Sequence, residues 1–294
     1  MAKSGKEIRR RIRSVKSTQQ ITKAMKMVAA ARLRKSEGRA SASRPYTDTL
    51  REVMGRLGGV AAEVDHPFLA HLTTEFDRVL LLFMTSDKGL CGSFNEHMIN
   101  RAKAFIREQK AQGREVGLIC AGKKGYDWAR SEGLEIVDHF PSFNEKTTFA
   151  DLKPLMDMLS GQYLNQEVGE VYLLSARFIN VVKNIPTVLR LLPIEALPAG
   201  EEDDGEYRHE YMLEPSPEEL LASLLPGYFR TLLFQAAIEN FTSENGARMV
   251  AMENATQAAG EMIEDLTLQY NKARQASITL ELLDIVGGAE ALKG

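Results

Sequence analysis

Apolar or small side chains return every three or four positions near the start of the chain: Ile8, Ile12, Val15, Thr18, Thr22, Met25, Ala29 and Leu33. That spacing stacks them on one helix face, so a single long helix is predicted from Ser4 to about Leu57. Arg44-Pro45 is expected to kink or interrupt it, and Gly58-Gly59 with His66-Pro67 to punctuate its end. At the other end of the chain, Ser216-Pro217-Glu218-Glu219 announces a second helix. Ser is the N-cap, Pro the first helical residue, and Glu three positions on completes a capping box. The pattern continues to about Val286, where Gly287-Gly288 should stop it; Pro226-Gly227 is expected to kink or break its first turns. In its second half, Met249, Met252, Thr256, Ala259, Ile263, Leu266, Tyr270, Ala273, Ser277 and Leu280 alternate steps of three and four. That 3.5-residue period marks a coiled-coil seam. The seam needs a partner, and the N-terminal helix is the obvious one. The chain leaves along one helix and returns along the other, so the pair is antiparallel.

The middle, residues 77 to 195, has a different rhythm. Arg78–Met84 is a short apolar run bounded by turn residues, as in a sheet interior. A helix follows from about Asn95 to Gln112, a strand over Glu115–Ala121, a helix near Gly125–Glu132 and a short strand near Leu134–Asp138. Asp151–Asn165 reads as helix and Glu170–Ala176 as strand. Thr187–Leu192, fenced by Pro186 and Pro193, reads as an edge strand. Alternating strand and helix predicts a Rossmann-like α/β domain on a mainly parallel sheet. The domains are therefore drawn as 1–60, an N-terminal rod helix; 75–198, the inserted α/β domain; 199–215, an acidic connector; and 216–294, the returning helix that pairs with 1–60.

Charge changes this picture. The 294 residues carry 37 basic and 40 acidic side chains, a formal net charge of −3. Residues 1–44, however, hold fourteen Lys or Arg against Glu7 and Glu37, a segment of +12. The remaining 250 residues hold 23 basic and 38 acidic side chains, or −15. Such a split points the basic part toward a polyanionic partner. Seven acidic residues between Glu201 and Glu214 make the connector the densest negative stretch. A composition of 44% hydrophobic and 26% charged residues belongs to a folded chain, neither disordered nor fibrous. The longest apolar run, Val79 to Met84, is far short of the ~20 residues that span a bilayer. No apolar stretch follows the basic start as in a secretory signal. An Arg- and Ser-rich start also suits a transit peptide, but the helical pattern runs on to about Arg44, which favours mature structure.

Candidate chemistry is sparse. Thr85-Ser86-Asp87-Lys88-Gly89-Leu90-Cys91-Gly92-Ser93 lies between a strand and a helix, where phosphate loops sit. It matches neither G-x-x-x-x-G-K-[ST] nor G-x-G-x-x-G, and Gly122-Lys123-Lys124-Gly125 is equally partial. These glycines read as tight turns. Two cysteines, Cys91 and Cys120, make no disulfide framework or four-ligand zinc site, and point to a reducing compartment. Cys91 beside Asp87 and Lys88 has no His near it in sequence and reads as a packed thiol. The five histidines show no metal spacing. No residue set reads as catalytic, metal-binding or cofactor-binding. A basic helix joined to heptads also occurs in DNA readers. Here the basic stretch carries its own apolar stripe and its partner is intramolecular, so no fork over a major groove would form.

Ile21-Thr22-Lys23-Ala24-Met25-Lys26-Met27-Val28-Ala29-Ala30, Ser43-Arg44-Pro45-Tyr46, Ser86-Asp87-Lys88-Gly89-Leu90-Cys91-Gly92, and Tyr270-Asn271-Lys272-Ala273-Arg274-Gln275-Ala276-Ser277-Ile278-Thr279 with Glu281, Asp284, Gly288 and Ala289 closely resemble the gamma subunit of the rotary, F-type ATP synthase. The resemblance covers essentially the whole chain. It implies a non-catalytic central rotor stalk, with the ATP sites on partner subunits. The partners implied are three alpha and three beta subunits, the epsilon subunit and the ring of c subunits, with no nucleic acid and with the membrane met only through the c-ring. Rotation of that ring, driven by protons or sodium ions, would turn the asymmetric shaft and push each beta subunit between conformations.

Carried over by motif, Arg274, Gln275 and Thr279, with Glu281 near them, look like contacts to the catch loops of the beta subunits. Lys23, Met25 and Lys26, with Arg248, match the zone facing the acidic lever loop of beta. Tyr211 and Glu214 resemble positions that touch the c-ring loops and epsilon. The stretch near residues 195–215 has no cysteine-bearing insertion, so the thiol switch of chloroplast relatives is not expected. A start a few residues before the helix suggests a bacterial version, peripheral on the cytoplasmic face of the inner membrane. Two other readings stay open: a nucleotide-binding α/β enzyme, and a basic coiled-coil DNA-binding protein.

Overall fold

The computed structural model describes residues 5–57, 64, 66–69, 77–194 and 216–291. In chain order these form α1 (Gly5–Arg56), β1 (Arg78–Met84), α2 (Phe94–Ala111), β2 (Glu115–Ala121) and α3 (Lys123–Ser131). They continue as β3 (Ile136–Phe140), α4 (Phe149–Leu164), β4 (Glu170–Phe178), β5 (Asn184–Leu192) and α5 (Pro217–Ala291). The chain divides into two compact units. One is Met1–Ala29 with Arg248–Gly294, and the other is Ala30–Ala247.

In the larger unit, the five strands lie in the order β3-β2-β1-β4-β5, and every neighbouring pair is parallel except β4 with β5. The middle strand β1 is apolar throughout after Arg78 and buried on both faces, because helices cover both sides of a parallel sheet. Its side chains alternate between two cores. Leu80, Leu82 and Met84 face α4 and the helical stretches of α1 and α5 that belong to this unit. Val79, Leu81 and Phe83 face α2 and α3. β5, at the edge, instead alternates between exposed and half-buried positions over most of its length.

The sequence boundary at 75–198 therefore leaves out part of one layer. Leu50 and Met54 of α1 and Leu221, Leu225, Phe229 and Leu233 of α5 share a core with the sheet. Polar contacts fix the same layer. Arg39 donates to the carbonyls of Glu145 (2.5 Å) and Thr147 (2.7 Å), and Ser43 donates to Gln235 Oε1 (2.6 Å). Helix α4 is started by Asp151, which accepts from the Thr148 backbone N–H and hydroxyl. Those bonds hold its carboxyl below the usual carboxylate range.

Three helix breaks expected from sequence do not occur. α1 runs through Pro45, α5 runs through Pro226-Gly227, and α5 also continues past Gly287-Gly288 to Ala291. An interior Pro costs about 3 kcal/mol, but burying Leu221, Leu225 and Phe229 around Pro226 contributes about 1.5–3 kcal/mol for each side chain. Tertiary packing outweighs the local penalty there. β5 likewise includes Pro186, opposite Ala176, and starts three residues earlier than the sequence suggests. One stretch of α5 is long and apolar enough to cross a membrane by length and composition, but 61% of it is buried within the protein.

Candidate functional site

The smaller unit is the antiparallel helix pair. Buried or half-buried positions on α1 include Ile8, Ile12, Val15, Gln19, Thr22, Lys26 and Ala29, alternate steps of four and three, with Met25 half-buried beside Lys26. On α5 they include Met249, Met252, Thr256, Ala259, Ile263, Leu266, Tyr270 and Ala273. Contacts descend along α5 as they climb along α1. Lys26 pairs with Glu253, Thr22 with Thr256, Gln19 lies against Thr256 and Gly260, and Gly5 against Tyr270. The α5 seam follows the sequence reading as far as Ala273. On α1 it differs: Thr18 is exposed, and Gln19 takes its place.

The centre of the seam is polar. Thr256 Oγ1 and Thr22 Oγ1 are 2.8 Å apart, and Gln19 Nε2 donates to the Thr256 carbonyl at 3.4 Å. Thr22 is 9% exposed and Thr256 half-buried, so this polar layer is largely shielded from water. Polar groups at such positions fix register and orientation at some cost in stability.

Gly5 sits against Tyr270, so among the described residues of this unit no helix lies beside the last turns of α5. Every side chain from Arg274 to Ala289 is exposed, including Ile278, Leu280, Leu282, Leu283, Ile285 and Val286. Apolar residues all round an exposed helix mark a surface that is covered by something else. Arg274, Gln275, Thr279 and Glu281 all lie on this free end. Arg274 and Glu281, seven apart, share one face; Gln275 and Thr279, four apart, share the next. Thr279 bonds back to the Gln275 carbonyl (2.9 Å), and Glu281 accepts from Ser277 (3.2 Å).

Lys23 and Met25 lie on the paired part of α1, Lys23 exposed and Met25 half-buried, while Lys26 is tied to Glu253. Arg248 lies at the start of the α5 stretch of the same unit, half-buried. The structure thus groups the seven candidates at 23–26 and 274–281, with Arg248, in one unit but at different heights. Tyr211 and Glu214 lie outside the described residues, as does the acidic connector.

The strand ends of the larger unit bear on the nucleotide reading. Asp87 Oδ1 accepts the backbone N–H groups of Lys123 (2.9 Å) and Ser142 (3.1 Å). Its carboxylate thereby occupies the N-terminus of α3, the place where a phosphate binds in such folds. Gly122, with φ +118°, would put a Cβ 2.3 Å from the Thr85 carbonyl oxygen, so it serves a close backbone approach. Sequence inspection placed Asp87 beside Cys91 but missed this role, which depends on a loop 36 residues away. Ser86, Cys91 and Asn95 hydrogen-bond among themselves: Asn95 Nδ2 donates to Ser86 Oγ (2.8 Å) and Cys91 Sγ (3.1 Å). Cys91 and Cys120 are both buried, and burial pushes the Cys120 thiol up to about 12, an inert form. Among the described residues, no three His, Cys, Asp or Glu gather in a way that could hold a metal ion. A cavity of about 440 Å³ between α1, α4 and α5 is lined by aromatic rings, hydroxyls, Gln235 and Arg230, with no group suited to proton transfer near neutral pH.

Comparison with known proteins agrees with this geometry. The profile of the ATP synthase family matches residues 4–292. An ATP synthase gamma chain from Symbiobacterium thermophilum is 43% identical over 295 residues, covering all of both chains. One from Maridesulfovibrio salexigens is 43% identical over 292 residues, covering 98% of this chain and 99% of its own. Among solved structures, a chain of the Tetrahymena thermophila mitochondrial ATP synthase central stalk and c-ring superposes with a TM-score of 0.57 at 25% identity, over 80% of this chain and 99% of its own. A chain of the Euglena gracilis mitochondrial ATP synthase in rotational state 3 shares the fold, with a TM-score of 0.68 at 19% identity, over 98% and 94% of the two chains. A match along nearly the full length, to relatives of the same length and at this identity, places the chain in the ATP synthase gamma family.

Proposed function

We propose that this chain, as the central stalk of an F-type ATP synthase, carries the rotation of a membrane ring of c subunits to three beta subunits that make ATP. The stalk is a non-catalytic subunit, and the catalytic sites lie on the beta subunits. The observation that carries the mechanical reading is the free end of α5, where sixteen successive residues, Arg274 to Ala289, are exposed and apolar side chains point all round. Such a surface suits an apolar collar in which a helix turns, because no single angle is favoured by a deep directional contact. The alpha and beta subunits, three of each, would supply that collar.

Within it, Arg274, Gln275, Thr279 and Glu281 offer charged and amide groups to the catch loops of beta. Lys23 and Arg248, with Met25 and Lys26, face the acidic lever loop. Attraction between exposed charges is screened over about 8 Å at physiological salt and holds no one register strongly. Each beta subunit is then biased between conformations by the angle of an asymmetric shaft, a population shift driven by differential contact. Tyr211, Glu214 and the acidic connector are assigned to the c-ring and the epsilon subunit. The complex is membrane-associated, and we place it on the cytoplasmic face of a bacterial inner membrane, in line with the bacterial relatives. The test is co-purification. Co-expressed with alpha and beta chains, the full chain should emerge as one copy per three of each, with ATPase activity; a stable free monomer would contradict the reading.

A further inference from the structure

β4 is longer than its parallel neighbour. The β1–β4 register ends at Phe83↔Leu174, and β1 itself ends at Met84, while β4 continues to Phe178. On its other side β4 is paired with β5 out to Phe178↔Asn184. The backbone of Ala176 on the β1 side therefore passes beyond the last residue that could bond to it. This is also the point where the strand order reverses: the chain runs from β1 outward to β2 and β3, then returns to β4 on the opposite flank. In open α/β sheets the crevice at that point, beyond the strand ends, is where ligands bind.

Here α5 fills it. Asn240 Oδ1 accepts the Ala176 N–H at 3.0 Å, and Ser243 Oγ donates to the Ala176 carbonyl at 3.4 Å. Two side chains one turn apart on a helix thus replace the missing strand. Asn240 is 5% and Ser243 1% exposed, and a backbone N–H left unpaired at such a site is costly. The neighbouring turn of α5 is polar yet buried, with Thr242 and Asn245 at 0%. A Cβ on Gly246 would stand 3.4 Å from the Val181 carbonyl oxygen, so the helix also runs close to the β4–β5 turn.

We infer that Asn240 and Ser243 are the torsional joint of the rotor, the positioning residues that lock the shaft helix α5 to the sheet so that rotation of the α/β unit turns the helix without slip. Apolar packing resists separation but is non-directional. A helix seated only on Leu and Phe side chains can roll, whereas two hydrogen bonds to the backbone of one fixed residue resist rolling. The joint rests on the stalk function proposed above. It assigns the switch-point crevice a mechanical task in place of ligand binding.

The test uses the assembled complex of this chain with its alpha and beta subunits, the latter immobilised. A probe is attached to a cysteine introduced at Lys110 on the exposed side of α2, and its angular fluctuation is recorded while the motor is arrested by bound nucleotide. Asn240→Leu with Ser243→Ala removes both bonds with little change in volume. The variant is expected to keep its ATPase rate, to exchange the Ala176 amide hydrogen faster, and to widen the angular variance about twofold. Asn240→Asp, which keeps the acceptor, should restore the wild-type variance. A control, Leu233→Ala, weakens the same layer without touching Ala176. The inference is overturned by unchanged variance when Ala176 exchange has risen, or by equal widening in the control. A wild-type probe that never rotates with ATP would instead remove the stalk function itself, so the two failures are told apart.

Discussion

Thr22 on α1 and Thr256 on α5 place their hydroxyl oxygens 2.8 Å apart across the antiparallel pair, between Gln19 and the Lys26–Glu253 ion pair. Each hydroxyl also has a partner on its own helix: Thr22 donates to the Gln19 carbonyl (3.0 Å), and Thr256 reaches the Met252 carbonyl (2.7 Å). The layer is thus a small network and not a lone pair. A one-heptad slip would set both hydroxyls against apolar neighbours, so the pair selects one register.

Replacing Thr22→Val or Thr256→Val keeps the shape and leaves one hydroxyl with only its local partner. Each single change should cost about 1 kcal/mol, and the double change less than the two together, by about 0.5–1 kcal/mol of coupling. Denaturant titrations of the four proteins measure this. Strict additivity would mean that the hydroxyls do not act together.

Gly122 and Gly133 both have positive φ, +118° and +66°, but differ in what surrounds them. A Cβ at Gly133 meets nothing within 4 Å, whereas one at Gly122 meets the Thr85 backbone at 2.3 Å. Gly133→Ala should cost about 1 kcal/mol. Gly122→Ala should cost several times more, because the strand end and the α3 turn must separate. Thermal unfolding of the two variants side by side checks the ranking.

High pH should loosen the larger unit. Burial raises the Cys120 thiol from 9.0 to about 12, and raises the Tyr163 and Tyr172 hydroxyls from 10.0 to about 12, with Glu170 adding to the effect at Tyr172. All three folded values lie above the unfolded ones, so the stability they contribute is complete below pH 9. It falls as pH rises from 9 toward 12, because the unfolded chain loses these protons first. Tyr172→Phe keeps the ring packed near Phe105 and removes one titrating group. Its stability should fall less steeply between pH 10 and 12; a slope equal to wild type would contradict the assignment.

The free end of α5 should separate stability from assembly. Leu283→Ser and Ile285→Ser replace side chains 62% and 67% exposed. In the isolated chain they should change stability by no more than about 0.5 kcal/mol. In the presence of alpha and beta chains they should reduce the yield and ATPase activity of the complex. An unchanged yield would mean that the apolar end is not seated in a collar.

Much of this was legible in the sequence because hydrophobic period is a strong signal over long elements. The α5 seam from Met249 to Ala273 and the extents of β1 and β2 follow from spacing alone. The α1 seam was misplaced at Thr18 because a threonine passes for apolar more easily than a glutamine. In the fold, Gln19 lies over Gly260 and Thr256, whose small size leaves room for it. Pro186 read as a fence although an edge strand tolerates it, and the prolines at 45 and 226 misled for another reason. They are local signals, and burial in a core made by distant segments overrides them. Asp87, Asn240 and Ser243 act through backbone groups 36 to 67 residues away, which no spacing rule can reach. The four positions at 274–281 were legible only through a specific motif, since they lie exposed on the helix and Thr279 and Glu281 bond to their own helix.

The central claim is that this chain turns inside a catalytic ring, and watching it turn tests that most directly. Cys91 and Cys120 are buried, so a probe can be placed selectively on a cysteine introduced at exposed Lys110 of α2, with the beta subunits fixed to a surface. On addition of ATP the probe should rotate in one direction, stepping between angles set by the three beta subunits. ATP consumed at the full rate while the probe stays at a fixed angle would contradict the account.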